Sequence, residues 1–193
     1  MSNIKDGLSN VAVAKRTEAI TDGVTTGGVT YATPVKLPGA VNFSVDKEQS
    51  EITFYADNIL YYNAKAKTSE GGDLELADIP RQILLDYLGY KEAKEGGILE
   101  TNSLDLANCA LMFQVETDGK ARKFIYYNCT LAESSEEYAT VDGDITPQTS
   151  TISVTCAGET VGDRQVFKRV LEATDEGYET AFTAVTVPSF KTE

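Results

Sequence analysis

The residues able to do chemistry are few, and their spacing assembles no familiar catalytic set. The 193-residue chain contains no histidine, which removes the commonest general base and the commonest metal ligand. Ser-His and Cys-His nucleophilic arrangements are therefore excluded. The three cysteines, Cys109, Cys129 and Cys156, lack the paired spacing of a metal site. Their odd count and wide separation lead us to expect free, buried thiols. Asn128-Cys129-Thr130 matches the N-glycosylation pattern, and Asp142-Gly143-Asp144 sets two carboxylates around a glycine. The first needs a secretory lumen, and the second lacks the other ligands of a calcium loop. Neither a phosphate-cradling glycine loop nor a dinucleotide fingerprint is present. With 30 acidic residues, carboxylate pairs abound and none is informative. The expectation is no catalytic residue, no cofactor and no metal.

Charge narrows the partners. A net charge of −13 argues against nucleic-acid binding by phosphate neutralisation, which needs clustered Lys and Arg. It is compatible with nucleic acid passing nearby, because a negative wall repels phosphate. The length suits one domain, 1–193, and such a chain buries roughly 70% of its unfolded surface. No apolar run approaches the ~20 residues of a membrane span. Met-Ser-Asn-Ile-Lys-Asp-Gly at the start has no apolar h-region, so folding in the cytoplasm is expected.

The elements that would position any functional residue are mostly strands. The clearest helix covers about 79–88. Asp78 is a capping residue, Pro80 suits a first turn, Ile79, Ile83 and Tyr87 recur every four residues, and Gly89 ends it. One amphipathic helix needs a sheet to cover. The expected class is mainly β with α: a β-sandwich or partial barrel with one principal flanking helix.

Around it, alternation predicts strands at 41–45, 52–55 and 151–156, and paired β segments within 11–34. Residues 1–10 and 186–193 read as terminal arms, and Glu133 to Gly143 as an acidic loop. Tyr178, Phe182 and Val185 have the spacing of one helical face, weakened by intervening threonines.

The best hairpin flanks Asp118-Gly119. Its register sets Thr117 against Lys120, Phe113 against Phe124 and Leu111 against Tyr126, with Cys129 beside Asn108. One face then carries Leu111, Phe113, Phe124 and Tyr126. The other carries Met112, Ile125 and Tyr127, and is apolar too. Such a sheet must be covered on both faces, by its own helix and loops or by a neighbouring subunit. A second candidate surface is the stretch 57–72, which reads either as a strand entering the core or as a long loop whose aromatics pack on another subunit. The candidate subunit-interface residues are Tyr55, Asp57, Asn58, Ile59, Leu60, Tyr61, Tyr62, Met112, Ile125 and Tyr127.

Several segments, in order, resemble one family: the major tail (tail tube) proteins of long-tailed phages, particularly the phi-thirteen type. They are Tyr31-Ala-Thr-Pro-Val-Lys-Leu-Pro-Gly-Ala-Val41, Phe54-Tyr-Ala-Asp-Asn58 with Tyr61-Tyr62, and the Ile79-Pro80 helix closing in Leu88-Gly89-Tyr90. Tyr127-Asn-Cys-Thr130 and Ile145-Thr-Pro-Gln-Thr149 leading into Thr151-Ile-Ser-Val-Thr155 complete the set. The resemblance implies hexameric rings, stacked as a tube through which genomic DNA passes without specific binding. It implies tape-measure, tail-terminator and tail-initiator proteins as partners, a place in the virion tail tube, assembly in the host bacterial cytoplasm, and no membrane. It also implies that the 57–72 loop and the terminal arms bridge rings. The alternative from a different class is a monomeric β-sandwich binding or adhesion module, with exposed aromatics on a concave face and no polymerisation.

Overall fold

The computed structural model describes residues 5–21, 24–56, 58–102, 105–117, 120–136, 138, 140 and 148–191. Alternating sequence becomes strand almost throughout, and the main ladders are antiparallel. The strands are β1 (Lys5–Thr21), β2 (Val24–Tyr31), β3 (Val35–Lys36), β4 (Ala40–Phe43), β5 (Asp46–Ala56) and β6 (Ile59–Leu76), followed by helix α1 (Arg81–Tyr87). After it come β7 (Lys91–Glu92), β8 (Ile98–Leu99), β9 (Asn108–Thr117), β10 (Lys120–Glu136) and β11 (Ser150–Cys156). Last are β12 (Glu159–Val161), β13 (Arg164–Val166) and β14 (Lys168–Leu171). Among the described residues ten strands form one sheet in the order β2-β1-β9-β10-β11-β6-β4, with β3 also paired to β1, β5 to β6 and β14 to β10.

The sheet curls until β4 lies against β1, yet among the described residues no ladder joins the two. The form is a partial barrel with an open seam. Two bulges help to bend it. Asn10 in β1 and Asn128 in β10 both have φ of 51°, each beside a register shift. Asparagine tolerates this left-handed region better than other side chains, and a bulge sharpens local twist.

The barrel interior is filled by Val13, Leu74, Leu76, Leu111, Leu131 and Ile152, all essentially inaccessible. The helix adds Ile83 and Tyr87 to the same core, with Ile79 and Leu88 at its ends. Its predicted apolar stripe is what it buries. The start differs: Pro80 occupies the N-cap position, no side chain caps it, and Asp78 is exposed. Gly89 does end it, at φ +80°, and a Cβ there would come within 3.1 Å of the Asp105 backbone nitrogen.

The β9–β10 hairpin pairs Thr117 with Lys120, Phe113 with Phe124 and Leu111 with Tyr126, as its sequence predicts. Past Tyr126 the bulge changes the register, so Cys129 faces Cys109 rather than Asn108. On its other side Cys129 faces Cys156 across β11, and these two are joined as a disulfide. The expectation of three free thiols is thus corrected. Only Cys109 is free, and burial raises its pKa to about 12. A bulge and a long-range pairing decided this, and neither is visible as cysteine spacing.

Other segments also depart from the sequence reading. Residues 5–10 belong to β1 and pair with β9, because an open strand edge recruits backbone whatever its side chains. The acidic stretch continues as strand to Glu136, held by β11. The segment holding Tyr178, Phe182 and Val185 is a series of turns, not a helix, consistent with its threonines and Gly177. Its apolar residues nevertheless share one side. Ala181 and Val185 are buried and Tyr178 and Phe182 half-buried against Ala14, Ala110, Met112, Ile125 and Tyr127. Lys123 reaches across to the Tyr178 carbonyl at 2.7 Å and lies 4.0 Å from the Tyr178 ring. The Tyr127 hydroxyl donates to the Thr186 carbonyl at 3.2 Å.

Candidate assembly surface

The strongest surface feature is the β5–β6 hairpin. Its ladder runs from Asp46–Gly71 at the base to Ala56–Ile59 at the tip. At a strand rise of about 3.3 Å per residue it projects roughly 35 Å. Of the 57–72 stretch, residues 59–72 are therefore strand rather than loop, and the apolar and aromatic residues 59–62 point into solvent rather than into the core. Ile52, Tyr55, Ile59, Leu60, Tyr61 and Tyr62 are 50–73% exposed. The register puts Ile52, Ile59 and Tyr62 on one face with Ala64. Nearer the base, the opposite face carries the Asn63–Glu51 hydrogen bond (2.8 Å) and the Lys65–Glu51 ion pair (3.6 Å). Large apolar side chains collected on one face of a protruding ribbon form the kind of patch that marks an interaction site.

A glycine pair lets the hairpin leave the barrel. At Gly71 and Gly72, β6 is flanked on one side by β11 and on the other by the junction between β4 and β5. A Cβ on Gly71 would lie 2.5 Å from the Val154 carbonyl oxygen, and one on Gly72 would lie 1.8 Å from that of Ser44. Only glycine lets three backbones meet this closely.

The residue before the pair, Glu70, is fully buried. Its carboxylate meets Lys67 at 2.7 Å and Lys168 at 3.1 Å, and Lys168 also donates to the Tyr126 hydroxyl at 3.2 Å. Burial works to raise the Glu70 pKa, but the hydrogen bonds and charges of the two lysines outweigh it and hold the group below its ordinary value. Glu70→Gln is expected to cost about 3 kcal/mol, the low end for breaking a buried pair, because both ammoniums keep a solvent-facing side. A depressed carboxylate pKa stabilises fully above its unfolded value and loses that contribution as pH falls through the folded one. The gap between wild type and variant should hold steady above pH ~5 and shrink below ~4 in urea titrations.

Beside this cluster, at the open seam, lies a cleft of about 600 Å³. Phe113, Phe124 and Tyr126 form its floor and Val41, Phe43 and Val45 one wall, with Lys47 and Lys168 among the other lining residues. The Phe113 ring stacks on Phe124 at 5.1 Å and meets Phe43 edge-on at 5.3 Å.

Of the predicted interface residues, the structure brings Tyr55, Asn58, Ile59, Leu60, Tyr61 and Tyr62 together at the hairpin tip. Asp57 lies outside the described residues. Met112, Ile125 and Tyr127 are not with them, and no more than 3% of each is exposed. The reading of their face as subunit surface is corrected: of the two covers the sequence allows, the chain's own C-terminal segment supplies it. Sequence reasoning missed Ile52 as a surface residue, Glu70 as a buried one and the cleft altogether. Ile52 sits in regular alternation, which normally means one buried face, so it carried no signal.

Among the described residues no group of acidic and cysteine side chains is arranged to hold a metal ion. No helix there is long and apolar enough to cross a membrane. No protein-family model matches the chain, and no curated protein does. Among solved structures, the fold is similar to a chain in the cryo-EM structure of the anti-feeding prophage (AFP) baseplate, 6-fold symmetrised. The TM-score is 0.38 and the identity 9%, covering 90% of this chain and 99% of that one.

Proposed function

We propose that this chain is a structural, non-catalytic subunit that assembles with copies of itself, as stacked hexameric rings of a phage tail tube through which DNA leaves the virion. The observation that carries the self-assembly is the apolar tip of the β5–β6 hairpin. A side chain such as Ile59 or Leu60 contributes about 1.5–3 kcal/mol when a partner buries it, so several on one ribbon supply a large part of an interface. The tail-tube form of the assembly, and its tape-measure, terminator and initiator partners, rest on the sequence resemblance. The net charge of −13 suits a channel that DNA traverses without sticking.

Negative-stain electron microscopy with sizing chromatography tests this reading. The wild type should form rings or hollow tubes at high concentration or with a tail initiator present. Leu60→Asp combined with Tyr62→Asp should stay monomeric, with an unchanged unfolding midpoint, since neither side chain supports the core. Tubes formed by that variant would remove the hairpin from the assembly. A wild type inert even toward initiator and tape-measure proteins would favour the monomeric binding module, with the aromatic cleft as its site.

A further inference from the structure

We propose that a pocket of about 230 Å³ beside the C-terminal segment binds a small carboxylate with an apolar body, of the size of benzoate. It is separate from the aromatic cleft at the seam and does not depend on self-assembly. Five segments distant in sequence converge on it. Lys123 in β10 stands directly opposite Gln114 in β9, and Lys36 in β3 stands opposite Ala12 in β1. By alternation, Gln114 and Lys123 continue the sheet face of Met112 and Ile125. Asn10 at the β1 bulge, Pro34, and Phe182 from the C-terminal segment complete the lining. A bulge beside a pocket commonly serves to re-aim a side chain.

The observation that carries this is a buried cation with no counter-charge. Only 8% of Lys123 is exposed. One of its three N–H groups donates to the Tyr178 carbonyl at 2.7 Å. Its ammonium lies 4.0 Å from the centre of the Tyr178 ring and 5.2 Å from that of Phe182. A neutral carbonyl and ring faces offset only part of what an ammonium loses on leaving water. The chain carries 30 acidic residues, yet among the described residues neither Lys123 nor the exposed Lys36 forms an ion pair. The lining holds both lysines and no carboxylate. Glu116, two positions along β9, is exposed and accepts from Gln114 Nε2 at 2.5 Å, while Gln114 Oε1 accepts from Asn10 Nδ2 at 3.4 Å. An anion in the pocket gains charge-assisted hydrogen bonds from two ammoniums. Ala12, Pro34 and the Phe182 ring make the rest of the lining apolar, which favours a flat carbon body over compact, strongly hydrated phosphate. The volume falls below the roughly 300–1,000 Å³ of drug-sized sites, so the ligand is small.

Saturation-transfer NMR on the full-length chain, with sodium benzoate as the probe, tests this. The wild type should transfer saturation to the benzoate ring protons, while benzamide, its neutral analogue, should receive none. Lys36→Gln lies outside the core and should weaken benzoate binding about tenfold, the contribution of one hydrogen bond to a charged group, with an unchanged unfolding midpoint. Lys123→Met should abolish binding in a chain that still folds, because it removes a buried charge and keeps a side chain that packs on the rings. Should that variant fail to fold, Lys36→Gln decides alone. Absence of transfer at about 10 mM benzoate, enough to fill a site of millimolar affinity, would overturn the proposal. Benzoate binding that the substitutions leave unchanged would place the anion elsewhere and overturn it too. Equal binding of benzamide would reduce the pocket to an apolar hollow, and displacement of benzoate by equimolar inorganic phosphate would remove the apolar body from the ligand. Either result also overturns the assignment.

Discussion

Gly72→Ala should cost more than about 4 kcal/mol and leave the chain unable to form this sheet, an effect in the exceptional range for one methyl group. The new Cβ would fall 1.8 Å from the Ser44 carbonyl oxygen and 2.7 Å from its carbon. No side chain can swing aside, because the obstacle is backbone. Relief requires moving either the β4–β5 junction, which holds Ser44 to Asp73 (3.0 Å), or β6 itself, which is bound to β11 on its other edge. Gly7→Ala is the control. Nothing lies within 4 Å of its added carbon, so its effect should stay within about 0.5 kcal/mol. Urea denaturation followed by circular dichroism measures both. A Gly72→Ala chain with near-wild-type stability would mean that the hairpin does not leave the barrel through this crossing.

The second large effect concerns the covered face of β9–β10. Tyr127→Ala should destabilise the monomer by about 3–5 kcal/mol, the range for removing a buried aromatic ring. Tyr127→Phe should cost about 1 kcal/mol, the worth of the hydroxyl's bond to the Thr186 carbonyl. Tyr127 has no exposed surface, its ring lies 6.1 Å from that of Tyr31, and burial raises its pKa to about 12. The experiment separates a core role from an interface role. A core residue lowers the urea midpoint of the isolated monomer. An interface residue would leave that midpoint unchanged and weaken assembly only.

The difference between the two predicted patches shows what a sequence can specify. The pattern around Asp118-Gly119 determined a hairpin, its register as far as Tyr126, and the apolar character of both faces. The helix was equally legible, because four-residue spacing of Ile79, Ile83 and Tyr87, closed by Gly89, has few other solutions. The mainly β class with a single helix followed from the same local rules. The stretch at 59–62 is legible as apolar, and local pattern admits two places for it, core or partner surface.

Tertiary structure decided which apolar surfaces are covered. Met112, Ile125 and Tyr127 look in sequence like Ile59, Leu60 and Tyr62. The first set is closed off by residues 55 or more positions later than Lys123, through the contact of Lys123 with Tyr178 and the side chains of Ala181 and Val185. The second is carried away from the body by a crossing that only two glycines permit. The Cys129–Cys156 bond, the burial of Glu70 and the open seam are decisions of the same kind. Each depends on which strands become neighbours across the curled sheet. Local sequence fixes the period and the faces of a strand, whereas neighbours separated by dozens of residues are chosen by the packing of the whole chain.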